Sequence, residues 1–409
     1  MPSFARPGRR GRLPLRELEM YSYFYWIAGC ILAFVWLSRV LDAALGMPKV
    51  ADISDPSWDV RVPNGTPSVS IIVPACNEED HVEESLTRLL QLDYGNYEVI
   101  AINDRSVDNT GEIMNRIAVL PEAQGRLRVI HITDLPSGWM GKVHAMWSGG
   151  NESSGEWLLF TDADVLFRPD SLRRALAYAE SERSDHVVLL PRMIMHSPGE
   201  TMMVAFFQSL FVFGHRPWKV ADPSTKDHMG VGAFNLIRRP VYEAIGTYKA
   251  LRLEVLDDMK LGKLVKEGGY RQRNVFGHDL ISLRWVKGTM GMVNNLTKNF
   301  FAIMSFQAWR TLGFAFMLAF LNVMPFAGIF LAHGWARLPY AIALVCLFGI
   351  YLGMSWKSAV PVYYFFLHPV SSVVFVYIVL RSMVLTLAQG GVEWRGTFYR
   401  LEELKSGRV

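Results

Sequence analysis

Long uncharged stretches lie near both ends of the chain, and a region of mixed polarity separates them. Residues 20–37 are apolar over roughly 18 positions, just enough for a helix to cross a bilayer. Residues 312–331 and 338–354 are two further apolar stretches joined by a short loop, and residues 361–387 form a longer one. The pattern therefore predicts α-helical transmembrane segments at both ends.

Between residues 68 and 299, short apolar runs alternate with stretches of helical periodicity. Strands are predicted from Ser68, at residues 97–102 and 126–132, and from Trp157 up to Asp162. The helix between the first two has an apolar face, and Asn77 can cap its start. This alternation is typical of an α/β fold, in which a mainly parallel sheet is flanked by helices through right-handed crossovers.

The fourth predicted strand ends in two carboxylates, Asp162 and Asp164, separated by Ala163. Ligands bind beyond the carboxyl ends of the strands in such sheets. Alternate residues of an extended segment point the same way, so both carboxylates can bind one hard cation, Mg²⁺ or Mn²⁺. A solvated turn rich in aspartate is the alternative interpretation.

Other charged residues lie at predicted element ends. Asp104 ends the second strand, where it either contacts a ligand or caps a turn. Lys142 starts a helix, a position that suits a diphosphate but also a solvated lysine. Asp257 and Asp258 start another helix, where acids favour the helix dipole whether or not they do chemistry.

The amino-acid composition excludes some classes of protein. Hydrophobic residues make up 51% of the 409, and the net charge is +4. The sequence has no stripe of basic and aromatic residues of the kind that binds nucleic acid. The three cysteines, Cys30, Cys76 and Cys346, have neither disulfide-framework nor zinc-site spacing.

Four motifs in order, IIVPACNEE, IAINDRSVDNT, GWMGKVHA and FTDADV, resemble family 2 glycosyltransferases with the GT-A fold over residues 68–299. The resemblance implies a Rossmann-like sheet that is mixed but mainly parallel and is flanked by helices. Parts of the chain are similar to membrane-bound hopanoid-associated and ceramide-glucosyltransferase-like enzymes. The resemblance implies that Asp258 is the general base, that Asp257 matches the acid preceding it, and that Asp162 and Asp164 hold the metal. It also implies a nucleotide-sugar site made of Pro74, Ala75, Asn77, Glu78, Asp104, Lys142, Asp162, Arg284 and Trp285.

One position departs from a motif of many membrane-associated synthases of this family and of ceramide glucosyltransferases. They carry Gln or Arg three residues before Arg-Trp, and Ile281 stands there in this chain. The departure weakens the interpretation as a processive synthase and puts any specific role of Arg284 in doubt, although its charge still suits a contact with the donor diphosphate.

The expected organisation has six parts. They are a basic segment and membrane helix (1–47), a linker (48–67), a GT-A catalytic domain (68–299), an interfacial helix (300–311), a transmembrane module (312–390) and a polar basic tail (391–409). The apolar stretch at residues 200–214 is too short to span and is either a core helix or an interfacial segment.

The resemblance implies an inverting, metal-assisted hexosyltransferase that moves sugar from a UDP- or GDP-sugar to a membrane lipid hydroxyl or phosphate. A processive polysaccharide synthase, a glycosidase with paired carboxylates and a membrane-anchored scaffold are the alternatives. We expect an integral protein of the bacterial inner membrane whose catalytic domain faces the cytoplasm. The arginine-rich N-terminus conflicts with this orientation. The positive-inside rule places it in the cytoplasm, whereas a single crossing by the first helix would put it on the opposite side of the membrane from the catalytic domain.

Overall fold

The computed structural model describes residues 15–63, 65–358 and 360–407. The strands are β1 (Val69–Ala75), β2 (Tyr97–Asp104), β3 (Leu127–Ile132), β4 (Trp157–Phe160), β5 (Leu166–Phe167), β6 (His186–Leu190), β7 (Arg192–Met193), β8 (Asn235–Arg238), β9 (Gln272–Phe276), β10 (Ile281–Leu283), β11 (Gly391–Trp394) and β12 (Thr397–Arg400). The helices are α1 (Leu15–Gly46), α2 (Val82–Leu90), α3 (Thr110–Ala118), α4 (Gly141–Glu152), α5 (Ser171–Ser181), α6 (Pro198–Gly214), α7 (Arg239–Ala244), α8 (Asp257–Glu267), α9 (Gly288–Ile303), α10 (Ala308–Asn322), α11 (Met324–Leu331), α12 (Leu338–Lys357), α13 (His368–Gln389) and α14 (Leu401–Ser406).

The main sheet has seven strands in the order β3-β2-β1-β4-β8-β6-β9. Only β8 runs against its neighbours β4 and β6; the other pairs are parallel. The prediction of a mixed, mainly parallel sheet flanked by helices is therefore confirmed. Strands β5, β10 and β7 form a small second sheet, and β11 and β12 form a hairpin.

Strand β1 is buried along its whole length because helices cover both faces of the sheet. Ile71 and Val73 enter one core with the apolar faces of α2 and α5, and Ile72 enters a second core with α4. This two-sided burial explains why the strand reads as a continuous apolar run rather than an alternating one.

Two local predictions are wrong. Asn77 does not cap α2, which begins at Val82; Asn77 has a φ of 56° and its side chain accepts a hydrogen bond from Val107 N. No single helix spans residues 300–311, because α9 ends at Ile303 and α10 begins at Ala308.

The segment expected to be a linker is tied to the sheet. Ile53 is fully buried, and its amide donates to the carbonyl of Phe276 at the end of β9 over 2.8 Å. Residues 51–53 therefore fix the end of α1 to the edge of the catalytic domain.

Three helices are long and apolar enough to cross a membrane: Tyr23–Lys49, Gly334–Lys357 and Val362–Gln389. Helices α10 and α11 pass the same test as a pair, with a bend of 52° between them. The described residues therefore contain three candidate spans, or four if the bent pair is one.

Helices α1 and α12 run in the same direction. Tyr340 at the start of α12 donates to the carbonyl of Tyr25, and Lys357 at its end lies 3.9 Å from Asp52. Gly46 at the end of α1 packs directly on Trp218 of the catalytic domain. Both helices thus end at the catalytic domain.

Helix α13 does not carry the chain away from that domain. Ser371 near its start contacts Met202 of α6, and its last residue leads into the hairpin, where Tyr399 accepts a hydrogen bond from Gly141 N. The tail therefore lies on the same side as the catalytic domain, which three full crossings after residue 300 would not allow.

Candidate active site

The acidic residues that the sequence analysis placed at the ends of strands and helices all line one cleft. Asp104, Asp162, Asp164, Asp257 and Asp258 all line the same cavity, together with Lys142. Asp162 follows β4, and its amide donates to the carbonyl of Gly232 over 3.0 Å. This bond joins the end of β4 to the glycine-rich loop before β8.

Lys142 is the central cation. Its Nζ lies 2.6 Å from Asp162 Oδ1 and 3.9 Å from Asp257 Oδ2, and 14% of the side chain is exposed. Burial alone would lower the pKa of Lys142, but the carboxylates of Asp162, Asp257 and Asp258 raise it, so the amine stays charged.

Asp162 and Asp164 differ in their charge partners. Despite burial, Lys142 lowers the pKa of Asp162. Burial, then the nearby charges of Asp162 and Glu78, raise the pKa of Asp164 to about 7. Within the described ranges Asp164 has no ion pair, so this carboxylate lacks a cation of its own.

The difference in charge partners between Asp162 and Asp164 suits the binding of a divalent cation. Among the described residues, no three His, Cys, Asp or Glu side chains form a site that could hold a metal alone. Mg²⁺ is usually bound by one or two carboxylates plus substrate phosphates rather than by an all-protein cage. Asp162 and Asp164 therefore match the ligand set of a metal that arrives with a phosphorylated substrate.

Asp258 is held by the backbone. Its Oδ2 accepts from Gly232 N over 2.8 Å and its Oδ1 from Met259 N over 2.7 Å. Burial raises its pKa, against the lowering effect of Lys142. The carboxylate is thus fixed in orientation and binds a proton more readily than an ordinary aspartate does.

Asp257 is more deeply buried than Asp258 and makes fewer hydrogen bonds in the described part of the chain. Only 5% of its side chain is exposed, and its Oδ2 has no hydrogen-bond partner in the described part of the chain. Burial, together with Asp258 and Asp162, raises its pKa to about 7 against the effect of Lys142. Asp257 thus binds a proton more readily than an ordinary aspartate does, and it lies within ion-pair distance of Lys142.

Gly230 fixes the position of α8. A Cβ at this residue would lie 1.8 Å from the carbonyl oxygen of Asp258, a backbone atom. We expect Gly230→Ala to shift Asp258 and lower turnover by roughly 10²-fold, the loss that a displacement of about 1 Å can cause. Gly95→Ala is the control, since nothing lies within 4 Å of a Cβ built on Gly95. Unchanged turnover in Gly230→Ala would show that the close approach of Gly230 to the Asp258 carbonyl does not position Asp258.

Only part of the Pro74–Glu78 loop (called the nucleotide loop after its predicted role) lies at the cavity. Pro74, Ala75 and Glu78 line the cavity, whereas Asn77 is not among its lining residues. Asp104 also lines it but is bound by the Arg105 guanidinium at 2.8 and 3.1 Å.

The structure contradicts the expected position of Arg284. Its Nη2 lies 2.7 Å from Glu200 Oε1, and this residue does not line the cavity. Glu200 also accepts from the amides of His196 and Gly288, so the pair anchors the start of α6. Trp285 does line the cavity, with its ring 4.5 Å from that of Phe207.

Two cations that the sequence reasoning missed line the cleft instead. They are Lys298 of α9 and Arg395, in the turn between β11 and β12. A basic tail with a Trp-Arg-Gly motif was visible in the sequence, but nothing local indicated that it folds onto the nucleotide loop.

The cavity, of about 2390 Å³, continues from these charged residues into the membrane helices. Its far part is lined by apolar residues of α1, α6, α10 and α12, among them Val40, Phe211, Phe314, Leu321 and Ile350. The segment at residues 200–214 is thus neither purely core nor purely surface: Met203 and Phe206 are buried, while Phe207 and Phe211 face the cavity.

Two known glycosyltransferases are similar to this chain in sequence. The chain is 24% identical over 239 residues to 4,4'-diaponeurosporenoate glycosyltransferase of Staphylococcus haemolyticus, covering 57% of this chain and 61% of that protein. It is 26% identical over 152 residues to poly-beta-1,6-N-acetyl-D-glucosamine synthase of Staphylococcus aureus, covering 37% and 32%. The chain spans about 60% of the length of the first of these relatives.

A solved structure shares the fold. The mannosyltransferase PcManGT from Pyrobaculum calidifontis, in complex with GDP-Man and Mn²⁺, superposes with a TM-score of 0.52 at 16% identity, over 89% of this chain and 99% of that one. Residues 70–246 match the family described as Glycosyl transferase family 2. The chain therefore carries a glycosyltransferase family 2 domain with the GT-A fold.

Proposed function

We propose that this protein transfers a sugar from a nucleotide-sugar donor, a UDP- or GDP-sugar, to a hydroxyl or phosphate of a membrane lipid, with inversion at the anomeric carbon. The observation that carries the proposal is the single cavity that joins the cluster of carboxylates to apolar side chains of the membrane helices. A soluble acceptor would not need an apolar passage of this kind, whereas a lipid could bring its polar group to Asp258 along it.

The donor lies at the polar end. The Pro74–Glu78 loop and Asp104 border the nucleotide, and Lys142 places a positive charge where the leaving diphosphate gains negative charge. Asp162 and Asp164 would hold Mg²⁺ or Mn²⁺, which when bound neutralises the diphosphate as a Lewis acid.

Asp258 is the general base for a hydroxyl acceptor. It takes the proton of the hydroxyl as the new bond from oxygen to the anomeric carbon forms and the bond to the diphosphate oxygen breaks. Two backbone hydrogen bonds hold its carboxylate in place, so its remaining lone pairs can reach a hydroxyl that enters from the apolar side. Attack from the face opposite the diphosphate inverts the configuration.

We place the catalytic domain and the tail on the cytoplasmic side, where nucleotide sugars are made. The end of α1 packs on the catalytic domain, so a crossing α1 would place its N-terminal end on the other side. The arginines of residues 1–14 lie outside the described residues.

The direct test is to incubate purified protein with UDP- and GDP-sugars and a lipid extract, and to identify the product by mass spectrometry. We expect a glycolipid that carries a single added sugar, together with free nucleoside diphosphate. A long saccharide product would favour the processive synthase, the activity named for the poly-N-acetylglucosamine relative. Release of free sugar from a glycoside without any nucleotide would indicate a glycosidase.

A cavity-filling substitution tests the acceptor path. Gly353 of α12 lines the cavity, and nothing lies within 4 Å of a Cβ built on it. We expect Gly353→Phe to lower transfer to lipid by at least about tenfold by occluding the passage, while affinity for the nucleotide stays within about twofold. The measurement is the rate of glycolipid formation beside calorimetric nucleotide binding.

The matched control is Gly313→Phe in α10. Gly313 also has open space around its Cβ but does not line the cavity. Equal rates in the two variants would mean that the acceptor reaches Asp258 by another route.

A further inference from the structure

The two cations missing from the sequence prediction belong to one substructure, the C-terminal hairpin and the helix beside it. Arg395 and Gly396 form its two-residue turn with φ values of 49° and 75°, the left-handed pair that tight hairpins favour. The turn is therefore built to a defined shape and is not a loose end of the chain.

Side-chain contacts seat this hairpin on the catalytic domain. Tyr399 accepts from Gly141 N over 3.0 Å, at the start of the helix that carries Lys142. Thr397 accepts from Arg105 Nη1 over 3.1 Å, next to Asp104. The neighbouring residues Lys142 and Asp104 both line the cleft, so these two hydrogen bonds hold the hairpin, and the turn that precedes Thr397, beside its nucleotide end.

Arg395 reaches from this turn to the nucleotide loop. Its Nη1 donates to the carbonyl of Cys76 over 3.0 Å and its Nη2 to Glu78 Oε1 over 2.8 Å. About a third of the side chain, 36%, remains exposed. A guanidinium has five donors in a fork that suits phosphate oxygens, so donors remain available after these two bonds.

Lys298 faces the same space without a carboxylate partner. Its Nζ lies 4.4 Å from the ring centre of Trp394, and within the described residues it has no ion pair. Burial, and after it the nearby charges of Arg395 and Lys142, lower its pKa to about 8. Three cations thus converge on the cleft, and their mutual repulsion is relieved when an anion lies between them.

We infer that Arg395 and Lys298 bind the diphosphate of the donor, so that the C-terminal hairpin forms one wall of the donor site. The inference rests on the proposed function and extends it, because it assigns the diphosphate contact expected of Arg284 to two other residues. Glu78 holds Arg395 near its working position before the donor arrives, and the guanidinium then shares its donors with the phosphate oxygens.

The test compares nucleotides that differ by one phosphate. Calorimetry with Mn²⁺ measures the affinity of the full-length protein for UDP, GDP, UMP and GMP. We expect Arg395→Ala and Lys298→Met each to weaken binding of the nucleoside diphosphate by about 10- to 100-fold, since each removes a hydrogen bond between charged groups. Binding of the monophosphate should change by less than about threefold, and Arg395→Lys should restore part of the loss.

Arg400→Ala is the matched control, because Arg400 lies on the same hairpin with its side chain exposed. Its affinities should equal those of the unaltered protein, and a melting temperature for each variant checks that the hairpin stays folded. Equal losses for diphosphate and monophosphate would overturn the inference, because Arg395 would then only brace the nucleotide loop. Unchanged affinities would overturn it as well. If the unaltered protein bound none of the four nucleotides, the proposed function itself would fail.

Discussion

The substitution Asp258→Asn is expected to lower the rate of transfer by on the order of 10²–10⁴-fold, the contribution of a well-placed general base. The asparagine keeps the size of the side chain but cannot take the proton of the acceptor. Nucleoside diphosphate affinity should stay within about twofold, since within the described residues Lys142 forms its ion pairs with Asp162 and Asp257 rather than with Asp258. Turnover of a nucleotide sugar with lipid extract, beside calorimetric binding, separates the two effects.

Asp257→Asn is the matched control, because the two residues are adjacent and only Asp258 accepts two backbone hydrogen bonds. We expect a smaller loss of rate from it, through the altered charge around Lys142. If Asp257→Asn abolished transfer and Asp258→Asn turned over normally, the base would be Asp257. Melting temperatures are needed for both, since an amide group beside Gly232 N leaves one backbone donor unpaired, at a cost of about 1–3 kcal/mol.

The same residue determines the acid side of the pH profile. Burial raises the pKa of Asp258 above that of an ordinary aspartate, so the proton binds at a higher pH than usual. The base works only when ionised, and the rate should therefore fall as the pH drops through this raised pKa. A plot of kcat against pH for the unaltered protein would locate that limb, and a flat profile down to pH 4 would contradict the assignment.

The substitution Asp164→Asn is expected to remove most of the dependence of nucleotide binding on Mn²⁺. Asp164 is a carboxylate without an ion pair in the described residues, whereas Asp162 already has Lys142 at 2.6 Å. Loss of this ligand should weaken binding of UDP or GDP in the presence of Mn²⁺ by about 10- to 100-fold. Affinity measured in a chelator should hardly change.

An exposed acid gives the comparison for this experiment. Asp134 lies on the surface and does not line the cleft, so Asp134→Asn should bind nucleotide as the unaltered protein does. Calorimetry of the unaltered protein with and without Mn²⁺ decides the underlying question. Equal affinities in the two conditions would remove the metal from the mechanism.

Local sequence signals predicted the catalytic framework well. Strand β4 is an apolar run that stops at Asp162, and helix α8 begins at its pair of acids, as periodicity and helix-dipole preferences suggested. The parallel order of β2, β1 and β4 then brings Asp104 and Asp162 to the same edge. These features depend on residues close together in the chain, and short-range rules are strongest there.

The same rules failed where a side chain has two possible partners. Arg284 is a cation near the end of the catalytic domain, so a phosphate contact was a reasonable expectation. Glu200, 84 residues away, neutralises it instead. The sequence shows that both charges exist, but only packing of α6 against the segment before α9 shows that they meet.

The sequence by itself determined the α/β fold, the apolar helices at both ends and which carboxylates stand at element ends, because hydrophobic periodicity and end preferences act over a few residues. Only the tertiary structure decided that α13 returns the tail to the catalytic domain and that Arg395 meets Cys76 across 319 residues of chain. It also joined the charged cleft to the apolar passage between the membrane helices. Such contacts depend on how whole helices pack, and a hairpin turn has the same local sequence preferences whether it faces solvent or a donor site.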